Sequence, residues 1–174
     1  KALVAALSDG NENVRVEAIL GLGWMQSKEA VPALLGLLGS ADVRVKSRAI
    51  QALGQIGDAR AEKAIVALLR DPHPFIAENA IMSAGWLKAR SAVPVLLKIL
   101  SENDARIGEQ RGRMTTALRA LGHIGDASAL PPLEALAAST NDFPRTRRPG
   151  GAAIANIYAT PQGLGLKRHS ELAI

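Results

Sequence analysis

A ten-residue segment that recurs at a nearly constant interval constrains the fold of this chain more than any other feature. The segment at 49–58 reads AIQALGQIGD, and its small and apolar positions return 31 residues before it, 31 residues after it and again 37 residues further on. Self-similarity at a period of this length is typical of solenoid proteins. The recurring small residues are Ala18, Ala49, Ala80 and Ala117, each followed five residues later by Gly23, Gly54, Gly85 and Gly122.

Each repeat is predicted to form two helices. In the first helix the apolar residues fall on one face, as Val14, Ala18, Leu22 and Met25 do, and they are predicted to be buried. The predicted first helices are Val14–Met25, Val45–Ile56, Ile76–Leu87 and Arg113–Ile124, and the second helices are Glu29–Leu38, Ala61–Leu69, Ser91–Leu100 and Ser128–Ala137. We divide a single domain, 1–174, into the end of a truncated repeat at 1–9, full repeats at 10–39, 40–70, 71–101 and 102–138, and a degenerate or truncated repeat at 139–174.

The small and polar residues at the helix ends predict how the helices pack and stop. A glycine inside a helix costs roughly 1 kcal/mol, so the repeated glycine indicates tight contact between neighbouring helices. Gly57 and Gly125 suit a left-handed helix C-terminus, and the aspartates after them suit the cap of the next helix. Three residues at an equivalent turn between repeats are also predicted to be caps: Asp9, Ser40 and Asp71.

The repeated pattern resembles the HEAT-like repeats of the phycobilisome-lyase type. The resemblance covers about residues 1–157 and rests on Val-Arg/Lys, Ala-Ile-x-Ala-Leu-Gly-x-Ile-Gly-Asp and Ala-x-Pro-x-Leu-x-x-Leu-Leu in order. It implies an all-α fold, a right-handed α-solenoid of stacked helical hairpins. It also implies a helical scaffold, since a minority of such proteins are chromophore lyases or metal-binding hydroxylases. The hydroxylases use His-Glu pairs, and none of the three histidines here precedes a glutamate.

Composition and motifs exclude several kinds of chemistry. The chain has no cysteine, which excludes disulfides, thiolate metal sites and thioether attachment of a chromophore to this chain. It contains no phosphate-binding loop, nucleophile elbow or zinc-protease motif. His123 and Asp126 could share a metal across one helical turn, but Asp126 is better explained as a cap. We therefore predict no catalytic residue, no metal and no cofactor, and we favour the cytoplasm as the compartment.

The chain is not predicted to span a membrane. Its longest uncharged run, 149–166, is interrupted by Pro149, Pro161 and several glycines. A membrane helix needs about 20 predominantly apolar residues.

One column of the repeat carries both tryptophans of the chain and is a candidate partner-binding site. The column follows the packing glycine and consists of Trp24, Gln55, Trp86 and His123. Tryptophan is enriched at binding hot spots, so the column could be a contact stripe. Alternatively, each indole covers the core of the neighbouring repeat.

A second candidate site is a group of arginines in two lengthened loops, at 101–113 and 139–149. The group consists of Arg106, Arg111, Arg113, Arg145, Arg147 and Arg148. With a formal net charge of +5, the chain could bind a polyanion at this edge. Solvated loop charge, balanced by nearby acidic residues, is the alternative.

The function we predict is a non-enzymatic scaffold that binds another protein. Three surfaces could carry the partner: the concave helix face, the tryptophan column or the basic loop edge. The first alternative is a phycobilin lyase or a lyase subunit, which only the resemblance suggests. The second is binding of nucleic acid, which is not favoured because the few aromatic residues are not interleaved with the arginines.

Overall fold

The chain is built from pairs of helices. A computed structural model describes residues 2–102 and 108–139, and within these ranges there are helices and turns but no strand. The first helices are α2 (Glu12–Trp24), α4 (Val43–Ile56), α6 (Pro74–Trp86) and α8 (Gly108–Ile124). The second helices are α1 (Ala2–Ala6), α3 (Val31–Gly36), α5 (Glu62–Ala67), α7 (Val93–Glu102) and α9 (Leu130–Ser139). Every second helix except α1 is preceded by one 3₁₀ turn, and these turns are Lys28–Ala30, Ala59–Ala61, Arg90–Ala92 and Ala127–Ala129. A further 3₁₀ turn, Leu37–Gly39, follows α3.

The helices α2, α4 and α6 begin two residues earlier than predicted, and their N-cap positions lie two residues later than the predicted caps. Asn11 caps α2 by accepting from the backbone N–H of Asn13, and Asp42 caps α4 by accepting from two backbone N–H groups. The predicted caps at Asp9, Ser40 and Asp71 are therefore misplaced by two residues. Each of these three side chains instead accepts from the backbone N–H of the residue two positions later. They hold the turn that leads to the cap.

Contacts divide the chain into two compact units, Lys1–Ala92 and Val93–Ile174. In the first unit α2 packs against α4 and α4 against α6, while α1, α3 and α5 each pack on the next first helix along the chain. Three isoleucines at one repeat position, Ile19, Ile50 and Ile81, are fully buried there. In the second unit α7 packs against α8 and α9.

Two of the four packing glycines, Gly23 and Gly54, show the predicted close contact. A Cβ placed on Gly54 would lie 2.7 Å from the Cβ of Ser83 and 2.9 Å from its Cα. A Cβ on Gly23 would lie 2.6 Å from Oε1 of Gln55 and 3.1 Å from the Cα of Ala52. The absence of a side chain at both glycines is therefore what lets adjacent first helices touch.

Two predicted core positions are exposed. The side chain of Val14 is 40% exposed and that of Met25 is 70% exposed, whereas Val16 and Ile19 are buried. On the side of α2 that faces away from α4, the described structure contributes only the five-residue α1. Because α2 has so small a neighbour there, its buried stripe is narrower than that of α4.

The lengthened loop at 101–113 is partly helical. Helix α7 continues to Glu102, and α8 begins at Gly108. Glu109, Gln110 and Arg111 are good helix formers, which extends α8 toward its N-terminus. The prediction that Arg111 lies in a loop is wrong, because this residue lies inside α8.

The polar bonds between successive repeats differ from one joint to the next. At the joint between the first two full repeats, Arg44 donates to Oε1 of Glu12 and to Oδ1 of Asn13, both at 3.0 Å. At the next joint, buried Ser83 donates to the carbonyl of Ile50 at 3.0 Å, and buried Asn79 accepts from the carboxamide of Gln51. The bonds named at the two joints therefore join different pairs of residue types.

Candidate functional site

The two tryptophans lie at equivalent helix ends and are exposed. Trp24 is the last residue of α2 and is 72% exposed, and Trp86 is the last residue of α6 and is 38% exposed. Gln55 is the penultimate residue of α4, which packs between these two helices, and it is half-buried. We call the ends of α2, α4 and α6, with the turns that follow them, the tryptophan edge.

The edge is continuous between α2 and α4. The carboxamide of Gln26 donates to the backbone carbonyl of Gln55 at 3.2 Å. The carboxamide of Gln55 in turn lies over Gly23, as the 2.6 Å approach to its missing Cβ shows. The fourth member of the predicted column, His123, is exposed in α8 and belongs to the second compact unit.

Two kinds of turn connect the first helix of a repeat to the second. After Gln55 and His123 the chain turns through a left-handed glycine, with φ of 69° at Gly57 and 68° at Gly125. Each glycine N–H donates to the carbonyl four residues back, and the next aspartate caps the following 3₁₀ turn. This confirms the predicted roles of Gly57, Gly125, Asp58 and Asp126.

The turns after the tryptophans are built differently. Their left-handed residues are Gln26, with φ of 48°, and Lys88, with φ of 53°. The following N–H donates to the carbonyl five residues back, from Ser27 to Leu22 and from Ala89 to Ala84, which is the Schellman arrangement. In neither turn is there an aspartate at the following position.

Electrostatics distinguish the central turn of the edge. Nε and Nη2 of Arg60 donate to the two carboxylate oxygens of Asp58 at 2.9 and 2.8 Å, and Nη2 also donates to the carbonyl of Lys28 at 2.9 Å. The hydrogen bonds from Arg60 hold the pKa of Asp58 well below its usual range. The same contact raises the pKa of Arg60. The charges of Asp58 and Arg60 therefore balance each other within this turn.

Sequence reasoning missed three exposed residues of this surface and one exposed aromatic residue away from it. Met25, Gln26 and Lys88 lie next to the tryptophans, and Phe75, at the opposite end of α6, is 50% exposed. The signal for two of them was present in the aligned repeats. Two residues after the column position, the chain has glycine behind Gln55 and His123 but Gln26 or Lys88 behind a tryptophan.

The arginine group is described only in part. Arg111 is exposed and Arg113 is half-buried, both in α8. Four members lie outside the described residues: Arg106, Arg145, Arg147 and Arg148. Contact between the 101–113 and 139–149 segments therefore stays a prediction.

The described ranges contain neither a metal-binding cluster nor a membrane helix. No three of their His, Asp and Glu side chains converge as ligands of an ion would. Among the same residues, no helix has both the length and the apolar character needed to cross a bilayer.

Comparison with known proteins identifies the repeats. The family model of HEAT repeats matches residues 1–61, 38–111 and 62–155, while no curated protein matches the chain. Among solved structures, the complex of CpcE and CpcF of phycocyanin lyase from Nostoc sp. PCC7120 is similar at 25% identity, with a TM-score of 0.69 over 92% of this chain and 65% of that one. An engineered protein matches at 21% identity with a TM-score of 0.49, covering 91% of this chain and 75% of that one.

The chain therefore spans about two thirds of the length of the lyase chain that it matches. The predicted all-α solenoid of HEAT-like hairpins is confirmed, since the family match and the helix pairing agree. The chain belongs to the HEAT repeat family.

Proposed function

We propose that this protein is a non-enzymatic scaffold that binds another protein through the tryptophan edge. One observation carries the proposal: the only two tryptophans of the chain, Trp24 and Trp86, occupy the same repeat position and are both exposed. A tryptophan side chain is highly buried on average, so leaving two of them at 72% and 38% exposure forgoes core stabilisation. Binding hot spots are enriched in tryptophan.

The structural comparison supports a protein as the partner. The similar lyase structure is itself a complex of two proteins, CpcE and CpcF. In this chain the described ranges offer no cluster of side chains that could hold a metal ion, whereas they do offer exposed aromatic and apolar side chains in adjacent positions.

Loss of the indoles should weaken binding without unfolding the protein. Replacing Trp24 or Trp86 with Ala should weaken partner binding by about 2 kcal/mol or more. The melting temperature should change little for Trp24→Ala, since its ring is largely solvated. Binding is measured by calorimetry with the partner recovered by affinity capture. Because both tryptophans lie on this edge, a blue shift of intrinsic fluorescence on binding reports the edge directly.

Phe75→Ala is the matched control, because Phe75 is also an exposed aromatic residue but lies at the other end of α6. It should leave the affinity unchanged. Equal affinities for the wild type and both tryptophan variants would refute the assignment of this edge.

A lyase subunit is the second candidate, supported by the similarity to the phycocyanin lyase complex. Without cysteine, this chain cannot itself form the thioether link to a bilin. Any bilin must therefore be held reversibly. Added phycocyanobilin should then give a saturable visible absorption band that denaturation abolishes and gel filtration of the denatured chain separates from the protein. A spectrum identical to that of free bilin would exclude this candidate.

A further inference from the structure

The turns that follow Trp24 and Trp86, the tryptophan turns, lack both features that stabilise the other turns: a left-handed glycine and an aspartate cap after it. Gly57 and Gly125 adopt the left-handed backbone without strain, whereas Gln26 and Lys88 adopt it against the clash of their Cβ with the backbone. The aspartate caps of the glycine turns are also missing there, since Ser27 makes no side-chain cap bond and the equivalent residue after Lys88 is Ala89. Strained backbone positions cluster at functional sites. The coincidence of strain and tryptophan at both turns points to one selected surface.

The charge along the tryptophan edge is uneven. The segment 86–92, WLKARSA, contains Lys88 and Arg90 and no acidic residue. Both side chains are exposed, and neither forms an ion pair within the described ranges. The segment 24–30, WMQSKEA, balances Lys28 with Glu29, and Arg60 in the central turn is paired with Asp58. The Glu62 carboxylate also lies at this end and accepts from the backbone N–H and the hydroxyl of Ser91 at 3.3 and 2.6 Å. The end of the edge at Trp86 therefore carries two positive charges against one negative charge.

Helix packing sets the spacing expected between the two ends of the tryptophan edge. Packed helices lie about 8–10 Å apart, so the ends of α2 and α6, with α4 between them, are expected to lie about 16–20 Å apart. A helix rises about 1.5 Å per residue and covers that distance in about 11–13 residues. Residues 11 apart are close to three full turns apart and lie on the same face. One straight helix could thus place an apolar residue against each tryptophan.

We propose that the tryptophan edge binds an amphipathic helix of a protein partner, with apolar residues about 11 positions apart at the two tryptophans and acidic residues over Lys88 and Arg90. This proposal rests on the proposed scaffold function. It adds the chemical character of the bound helix and its direction along the tryptophan edge. An acidic helix also suits the net charge of +5, which accelerates association with an acidic partner.

The probe is a fluorescent synthetic helix of 22 residues with leucines 11 positions apart and four glutamates at one end. Two matched peptides serve as controls: one with lysines in place of the glutamates, and one with the leucines nine positions apart, on opposite faces. Fluorescence anisotropy with the full chain should show the acidic peptide binding at least about tenfold more tightly than either control. Trp86→Ala should weaken that binding by about tenfold or more.

A charge-neutral variant tests the direction of the helix. The double variant Lys88→Gln and Arg90→Gln keeps long side chains, and glutamine already occupies the equivalent strained position at Gln26. It should lower affinity for the acidic peptide about tenfold and leave affinity for the lysine peptide unchanged or higher. Lys63→Gln, an exposed lysine on α5, is the control and should have no effect.

The outcomes distinguish a failure of the acidic-helix proposal from a failure of the scaffold proposal. No peptide binding at about 1 mM, or equal binding of all three peptides, overturns the acidic helix. If the captured partner is then still lost on Trp24→Ala and Trp86→Ala, the scaffold function stands and only the occupant is wrong. If the captured partner is retained by both variants, the scaffold assignment fails as well.

Discussion

The glycine turns and the tryptophan turns solve the same geometric problem with different local chemistry. In both, the first helix ends in a left-handed residue and the chain enters a 3₁₀ turn. The glycine turns meet each local requirement with the preferred residue, a glycine and then an aspartate cap. The tryptophan turns meet neither requirement; both have the Schellman bonds, and the turn after Trp24 also has the side-chain bond from Gln26 to Gln55. The difference teaches that the repeat fold tolerates a poor turn, and that the poor turns, among those described, are the two that follow the tryptophans.

A packing glycine precedes each kind of turn: Gly54 precedes a glycine turn, and Gly23 precedes a tryptophan turn. Substituting these glycines should change the stability most, and it tests whether helix packing, rather than turn chemistry, distinguishes the two kinds of turn. Gly54→Ala should cost about 1–3 kcal/mol of unfolding free energy, because the new Cβ meets the backbone Cα of Ser83 at 2.9 Å. Gly23→Ala should cost less, because its closest contact is the flexible end of Gln55. Urea denaturation of both variants measures the difference. Equal losses would contradict the contacts described for the two joints.

The glycine turns should be sensitive to any side chain at the left-handed residue. Gly57→Ala should destabilise the protein by about 1 kcal/mol, because alanine is strained at positive φ although the space around it is open. Gly125→Ala has the same φ and the same open space, and it should show a similar loss. Thermal melts of the two variants provide the measurement. If either substitution left the melting temperature unchanged, the left-handed glycine would not be what distinguishes that turn from the tryptophan turns.

The tryptophan turns should respond in the opposite direction. Lys88→Gly and Gln26→Gly relieve the left-handed strain but add freedom to the unfolded chain, and we expect a net gain of about 0.5 kcal/mol each. Gln26→Gly also loses the bond to Gln55, so its gain should be the smaller one. A loss of stability at Lys88→Gly would show that the lysine is kept for the fold and not for a partner.

The smallest effect is a pH dependence confined to the central turn. The hydrogen bonds from Arg60 lower the pKa of Asp58 in the folded state, so this carboxylate stabilises the fold above its unfolded pKa of about 3.9. That contribution is lost as the pH falls below about 4. Asp58→Asn preserves a good cap but removes the charge. The difference in urea midpoint between wild type and variant should shrink from pH 6 to about pH 3. A constant difference would mean that the charge of Asp58 does not contribute.

The architecture was readable from the sequence because it is repeated. Four copies of the Ala and Gly columns predict close helix contacts, and Gly54 against Ser83 shows the expected approach. The caps were misplaced at Asp9 and Asp71 because turn residues and cap residues are of the same types. The exposure of Met25 could not be read from periodicity, since that depends on which neighbour is present. The strain at Lys88 is a backbone property that its residue type alone does not reveal, although glycine at the same repeat position in Gly57 and Gly125 indicates it.

The differing bonds at the two joints have a consequence for how near-identical repeats keep their order. A stack of similar hairpins has almost as much apolar contact when two copies exchange places, so hydrophobic burial alone discriminates weakly between sequences of repeats. The side-chain N–H2 of Asn79 donates within α6, to the carbonyl of Phe75, but the Ser83 hydroxyl and Oδ1 of Asn79 are bonded to α4. A misassembled or swapped array would bury these groups without partners, at about 1–3 kcal/mol each. These two residues thus favour the native order of the repeats, in which α6 packs beside α4.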